Sequence, residues 1–129
     1  MMGEGAMRPA GEIGMTFDEV RRIALGWPGV EDGTSYGTPA LKVKGKLLAR
    51  LKEDGDSLVV KGVGPDERAW LMETEPDVYY ITDHYRGWPI VLVRLSRSDP
   101  ETVAALLLRE WKAIAPKRLL AAYDETARR

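Results

Sequence analysis

YGTPALKVKGKLLARLKEDGDSLVVK, residues Tyr36 to Lys61, is the stretch that decides the fold. Within it Leu47, Ala49 and Leu51 alternate with Lys46, Leu48, Arg50 and Lys52, and upstream Leu41 and Val43 alternate with Lys42 and Lys44. A period of two is the pattern of a half-buried strand. A two-residue turn at Lys44-Gly45 would place Lys42 on the face of Leu47 and mix the faces. A three-residue loop with Gly45 in the left-handed conformation pairs Leu41 with Leu47 and Lys42 with Lys46 instead. Parity therefore predicts the three-residue loop. The next connection, Glu53-Asp54-Gly55-Asp56, pairs Leu51 with Leu58 and Ala49 with Val60, which keeps the apolar face continuous. The stretch reads as three antiparallel strands.

The opposite face then carries Lys42, Lys46, Arg50, Lys52 and Lys61, with Lys44 at the turn. Lys42 facing Lys46 across the strands is a repulsive pair, and a nucleic-acid phosphate or another anion would relieve it. The plainer reading is a solvated face whose lysines discourage edge aggregation.

The whole chain sets bounds on both readings. At 129 residues it suits one domain burying roughly two thirds of its unfolded surface. Nineteen basic and 20 acidic residues leave a net charge of -1, and the pI is about 5.9. A dedicated nucleic-acid binder more often has a basic balance, so such binding would rest on a local patch. The chain has no cysteine, which excludes disulfides, thiolate metal sites and cysteine nucleophiles. It has no apolar run near the ~20 residues of a membrane span and no signal-peptide core. The expectation is a cytoplasmic protein without membrane, metal or cofactor.

Residues 1–14 (MMGEGAMRPAGEIG) are expected to be a disordered leader, with a single domain over 15–129. Thr16-Phe17-Asp18-Glu19 has capping-box spacing, and Phe17, Val20, Ile23 and Ala24 repeat at helical intervals to about Trp27, before Pro28-Gly29. Val30 to Ser35 reads as a connection into the sheet. After the meander, Gly64-Pro65-Asp66-Glu67 opens a short helix carrying Ala69, Trp70 and Met72. VYYIT (78–82) and WPIVLVRL (88–95) read as strands, the second central, joined by the polar loop Asp83 to Gly87. Ser98 and Glu101 have capping-box spacing for a long helix with Val103, Leu106, Leu107, Trp111 and Ile114 on one face. Pro116 breaks it, and a last helix turns Leu119, Leu120 and Tyr123 inward. The order predicts an α+β two-layer sandwich, with a five-stranded, mainly antiparallel sheet and helices packed on one face.

Little of the chemistry is catalytic. His84, the only histidine, follows Asp83, but adjacent residues rarely point at each other and no nucleophile motif accompanies them. Gly62-Val63-Gly64-Pro65 lacks the glycine and lysine spacing of phosphate-binding loops. Trp70 and Trp111 fall in helical apolar patterns and read as core. Tyr36, Tyr85 and Trp88 fall in loops or at strand ends, where a ring either stacks on a ligand or plugs the sheet.

Together, TFDEVRRIALGWPGVEDGTSYGTPALKVKGKLLARL, LVVK, YYITDHYRGWPIVLVRL and LLLREWKAIAPKRL resemble the MmcQ/YjbR family of small bacterial proteins, in order, over roughly Met15 to Tyr123. The resemblance implies a two-layer α/β fold related to secretion chaperones. It also implies the DNA-binding function usually attached to the family, by analogy with a double-wing shape, and it supplies no catalytic residue.

The expectation is a non-enzymatic, DNA-binding protein that uses a basic hairpin face and its wing loops. Lys42, Lys44, Lys46, Arg50, Lys52 and Lys61 would contact phosphate, with Arg86, Lys117 and Arg118 extending the patch if near. Two alternatives stand beside it. One is a chaperone-like protein-interaction module, monomeric or homodimeric. The other is a small-molecule binder with a pocket formed by Tyr36, His84, Tyr85 and Trp88.

Overall fold

The computed structural model describes residues 13–127; most of the expected leader lies outside them. The hairpin between β2 (Thr38–Val43) and β3 (Lys46–Leu51) turns through two residues, not the three that parity predicts. Lys44 and Gly45 both have positive φ, 50° and 82°, as a type I′ turn requires. Val43 pairs with Lys46 and Lys42 with Leu47. The mixing of faces is undone one step later, where Leu41 pairs with Ala49 and Leu48 is left as an extra, bulged residue. Leu48 and Ala49 both turn into the core, while Leu47 is displaced to the other face and is only half-buried. Lys42 faces Leu47 on one side and Glu31 on the other, so the repulsive pair with Lys46 does not form.

The second correction is the strand count. Val30–Ser35 is β1, an edge strand fully paired with β2, so the sheet has six strands instead of five. Its sequence, VEDGTS, carries almost no strand propensity. It is held by hydrogen bonds to β2 across a second two-residue turn, Tyr36-Gly37, again with positive φ at both positions (54° and 80°). Acidic residues on an exposed edge also discourage pairing with another chain.

The remaining strands are β4 (Ser57–Lys61), β5 (Tyr79–Tyr80) and β6 (Ile90–Arg94), in the antiparallel order β1-β2-β3-β4-β6-β5. Leu51 pairs with Leu58 and Ala49 with Val60, as parity predicts. β6 lies inside the sheet, and the strand expected over 78–82 shortens to two residues at its edge.

Four helices cover one face: α1 (Phe17–Ala24), α2 (Pro65–Thr74), α3 (Pro100–Ile114) and α4 (Lys117–Ala127). The α1 capping box forms, with Glu19 N–H donating to Thr16 Oγ1 (3.3 Å) and Thr16 N–H to Glu19 Oε1 (2.8 Å). At α3 the cap is Asp99, which accepts from Thr102 N–H, rather than Ser98. Pro100 suits the first helical position, which fixes the residue before it as the cap. Ser98 is buried and donates to Leu95 O. Trp111 is fully buried and donates from Nε1 to Pro28 O at 3.0 Å, with Trp27 and Tyr123 packed around it. Trp70 is not core. It is 61% exposed, and its neighbour Leu71 is the buried residue of α2, because three consecutive large apolar residues define no single stripe. Among the described residues no helix is long and apolar enough to cross a membrane.

Candidate ligand-binding cleft

The face of the sheet away from the helices is not simply solvated. Ala40, Val59 and Leu92 are buried there, outside the main core cluster. Register explains their common side: Ala40 and Val59 both pair with Arg50, and Val59 pairs with Leu92. Next to them lies a cleft of about 640 Å³ whose floor includes Leu47, Val59 and Ile90. Its walls come from the β1–β2 turn (Tyr36), from β3 and its exit (Arg50, Lys52, Glu53), from Lys61, and from the segment between β5 and β6 (Thr82, His84, Tyr85, Trp88).

Arg50 organises this cleft. Only 7% exposed, it donates from Nη1 to Thr38 Oγ1 (3.0 Å) and from Nη2 to the Tyr85 hydroxyl (2.9 Å). Thr38 in turn donates to Ser35 O at 3.0 Å, beside the turn that carries Tyr36. The guanidinium thereby ties the β1–β2 turn to the 3-10 turn Asp83–Tyr85. The Tyr36 ring stands 5.3 Å from the guanidinium, and its nearest carboxylate, Glu53, is 3.8 Å away and largely exposed. Lys61 lends the cleft its stem, because its Nζ donates to Leu47 O (3.0 Å) and pairs with Glu110 of α3 at 3.7 Å. Gly62 (φ 81°) lies directly under Glu110, where a side chain would strike the carboxylate.

The segment that bears Trp88 is held from below. Arg68 of α2 donates to Trp88 O (2.8 Å), Ile90 O (2.9 Å) and Arg86 O (2.9 Å). The rings of His84 and Tyr85 meet edge to face at 4.7 Å. Tyr36 and Trp88 remain open to water, 85% and 64% exposed. On the far side, the β3–β4 loop is closed by Asp54, whose carboxylate accepts from Asp56 N–H (2.9 Å), Ser57 N–H (2.8 Å) and Ser57 Oγ (2.7 Å). Burial alone would push this carboxyl up, but the hydrogen bonds outweigh it and hold the pKa below the usual value.

Two groups of residues picked separately from the sequence thus meet in one place. Tyr36, His84, Tyr85 and Trp88 line the cleft, and so do Arg50, Lys52 and Lys61. Lys42, Lys44 and Lys46 do not line it. They sit along the β2–β3 hairpin, and none makes an ion pair among the described residues. Lys117 and Arg118 open α4, away from the cleft, and Arg86 is paired with Asp83 (2.9 Å). Sequence reasoning missed the apolar floor. Regular alternation puts Leu47 on the core face, and only the bulge at Leu48 turns it to the other side. The continuous apolar run in SLVVK, a sign of burial on both faces, was the available signal for Val59. Among the described residues no cluster of histidine and carboxylate side chains could hold a metal ion.

A family model described as YjbR matches residues 25–113, from the end of the first helix to the third. Uncharacterized proteins of Mycobacterium bovis and of two Mycobacterium tuberculosis strains are 32% identical to this chain over 125 residues, covering 84% of it and 95% of each relative. No solved structure is a significant match. The matched span contains every strand and all the cleft residues, and on this ground the chain belongs to the MmcQ/YjbR family.

Proposed function

We propose that this protein is a non-catalytic binding protein whose ligand sits in the outer-face cleft. One observation carries the reading: exposed aromatic rings and cationic side chains converge from four separate segments over an apolar floor. A volume of about 640 Å³ lies in the ordinary range of small-molecule sites, which combine apolar lining with a few placed polar groups. No side chain in the cleft forms a nucleophile–base pair, so binding rather than turnover is the chemistry these residues support.

A thermal-shift screen of small organic molecules tests this, since a ligand of the native state must raise its stability. Hits should vanish in Trp88→Ala while Trp70→Ala, on the exposed face of α2, keeps them. A screen without hits, or hits indifferent to Trp88→Ala, would sink the reading.

DNA binding is the second reading, favoured by Lys42, Lys44 and Lys46, three cations along one hairpin and free of ion pairs among the described residues. They would hold phosphate without reading bases. Anisotropy of a labelled duplex at low salt distinguishes it. Affinity lost in a Lys44→Glu, Lys46→Glu variant and retained in Trp88→Ala belongs to the hairpin, not to the cleft.

A further inference from the structure

Taking the cleft as the binding site, we propose that its ligand is a small planar aromatic acid: one flat ring system carrying a carboxylate or a phosphate group. The anionic half follows from where the lining charges are already satisfied. The Lys61 ammonium is engaged from the helix layer by Glu110 and held by Leu47 O, so it adds little free charge to the cleft. Lys52 is shared with the Asp54 carboxylate behind the lining, which leaves the buried Arg50 as the principal cation, against the carboxylate of Glu53. Glu53 is 67% exposed and 3.8 Å from the guanidinium, too solvated a partner to offset a buried cation. The under-compensated positive charge of the cleft is therefore centred on Arg50. Thr38 and Tyr85 fix the plane of the Arg50 guanidinium by hydrogen bonds from both Nη atoms, and a fixed guanidinium suits the planar geometry of a carboxylate or phosphate.

The aromatic half follows from Tyr36 and Trp88. Tyr36 has φ 54°, a left-handed conformation unfavourable for a bulky side chain. Asparagine or glycine would occupy this turn position more comfortably. The strained backbone carries the ring to the rim, within 5.3 Å of Arg50, and strain of this kind gathers at ligand sites. With the Trp88 indole on the other wall, the cleft offers two rings on which a flat ligand can stack. A free small molecule fits better than a strand of nucleic acid, because the unpaired lysines of the hairpin lie outside the cleft and lay no phosphate track into it.

The test is isothermal titration of the full chain with matched pairs: indole-3-acetate against indole-3-acetamide, and adenosine monophosphate against adenosine. In at least one pair the acid should bind about tenfold or more tightly than its neutral partner. The difference should shrink several-fold in Lys52→Gln and on raising the salt, and the pair that shows it separates carboxylate from phosphate. Among the described residues Lys52 makes no side-chain hydrogen bond, so Lys52→Gln should fold normally. Near-UV circular dichroism checks this. Equal affinity for acid and neutral partners, still abolished by Trp88→Ala, would overturn the acid inference and leave the cleft standing as a binding site. No binding by any of the four would overturn both.

Discussion

Tyr36 sits where a type I′ turn demands a left-handed residue, and Lys44 occupies the equivalent position in the next hairpin. A side chain with a Cβ in this conformation costs roughly 1–2 kcal/mol, a penalty that asparagine partly escapes. Lys44→Asn should therefore raise stability by about 0.5–1 kcal/mol in urea denaturation, with ligand binding unchanged. Tyr36→Asn should be similarly stabilising and should weaken binding at the cleft. That opposition marks a residue kept for function. A Tyr36→Asn protein that is less stable than the parent would show that the ring serves the fold. Arg50→Ala should cost about 1–3 kcal/mol, since it strips hydrogen bonds from Thr38 and Tyr85. Asp54 supplies a pH signature. Its carboxyl titrates below the ordinary value in the folded state, so its stabilisation is present above about pH 4 and is lost as pH falls through the folded pKa. Asp54→Asn should be clearly less stable than the parent at pH 7, and the gap should close on acidification. At this scale the sequence was partly legible. Aromatic residues in loops pointed to Tyr36, His84, Tyr85 and Trp88. The burial of Arg50 and the turning of Lys61 toward Glu110 depend on partners 35 and 49 positions away along the chain, which local pattern does not reveal.

Elements place these residues through one irregularity and one clamp. The bulge at Leu48 lets a two-residue hairpin coexist with an apolar inner face, and it moves Leu47 into the cleft floor. Period-two reasoning treats a strand as regular and so could not foresee it; the same reasoning placed β3 against β4 correctly, where no bulge intervenes. β1 was illegible for a different reason. Its six residues have little propensity of their own, and their extended form comes from pairing with β2. Helix starts were read well at α1 and α2, whose caps and prolines are local signals. The clamp is Arg68, which holds three carbonyls of the segment carrying Trp88. Arg68→Ala should loosen that segment, seen as faster hydrogen exchange at residues 86–90, and should weaken binding more than global stability. If exchange there is unchanged, Arg68 does not position Trp88. Gly62→Ala should lower stability, both because φ is 81° and because its methyl group would displace Glu110 from Lys61.

Across the whole molecule the sheet serves two different purposes. Its inner face, with Leu41, Val43, Leu48, Ala49, Leu58, Val60, Val91 and Val93, holds the helices and supplies the core. Its outer face buries a smaller apolar patch beside a cleft built around the buried Arg50 cation, in a chain whose net charge is -1. The acidic overall balance and the local cationic site are compatible because acidic residues such as Asp32 and Glu67 lie away from the cleft, paired with Arg21 and Arg109. Composition alone hides such a division, since it averages over both faces. The most direct test is a ¹⁵N-edited NMR titration of the labelled chain with indole-3-acetate. Binding in the cleft predicts that the shift changes centre on the Trp88 indole N–H, the Tyr36-Gly37 turn and Arg50, with the Trp111 indole N–H unmoved. Changes centred instead on the Lys44-Gly45 hairpin tip or on the helices, or no changes with either indole-3-acetate or adenosine monophosphate, would contradict it.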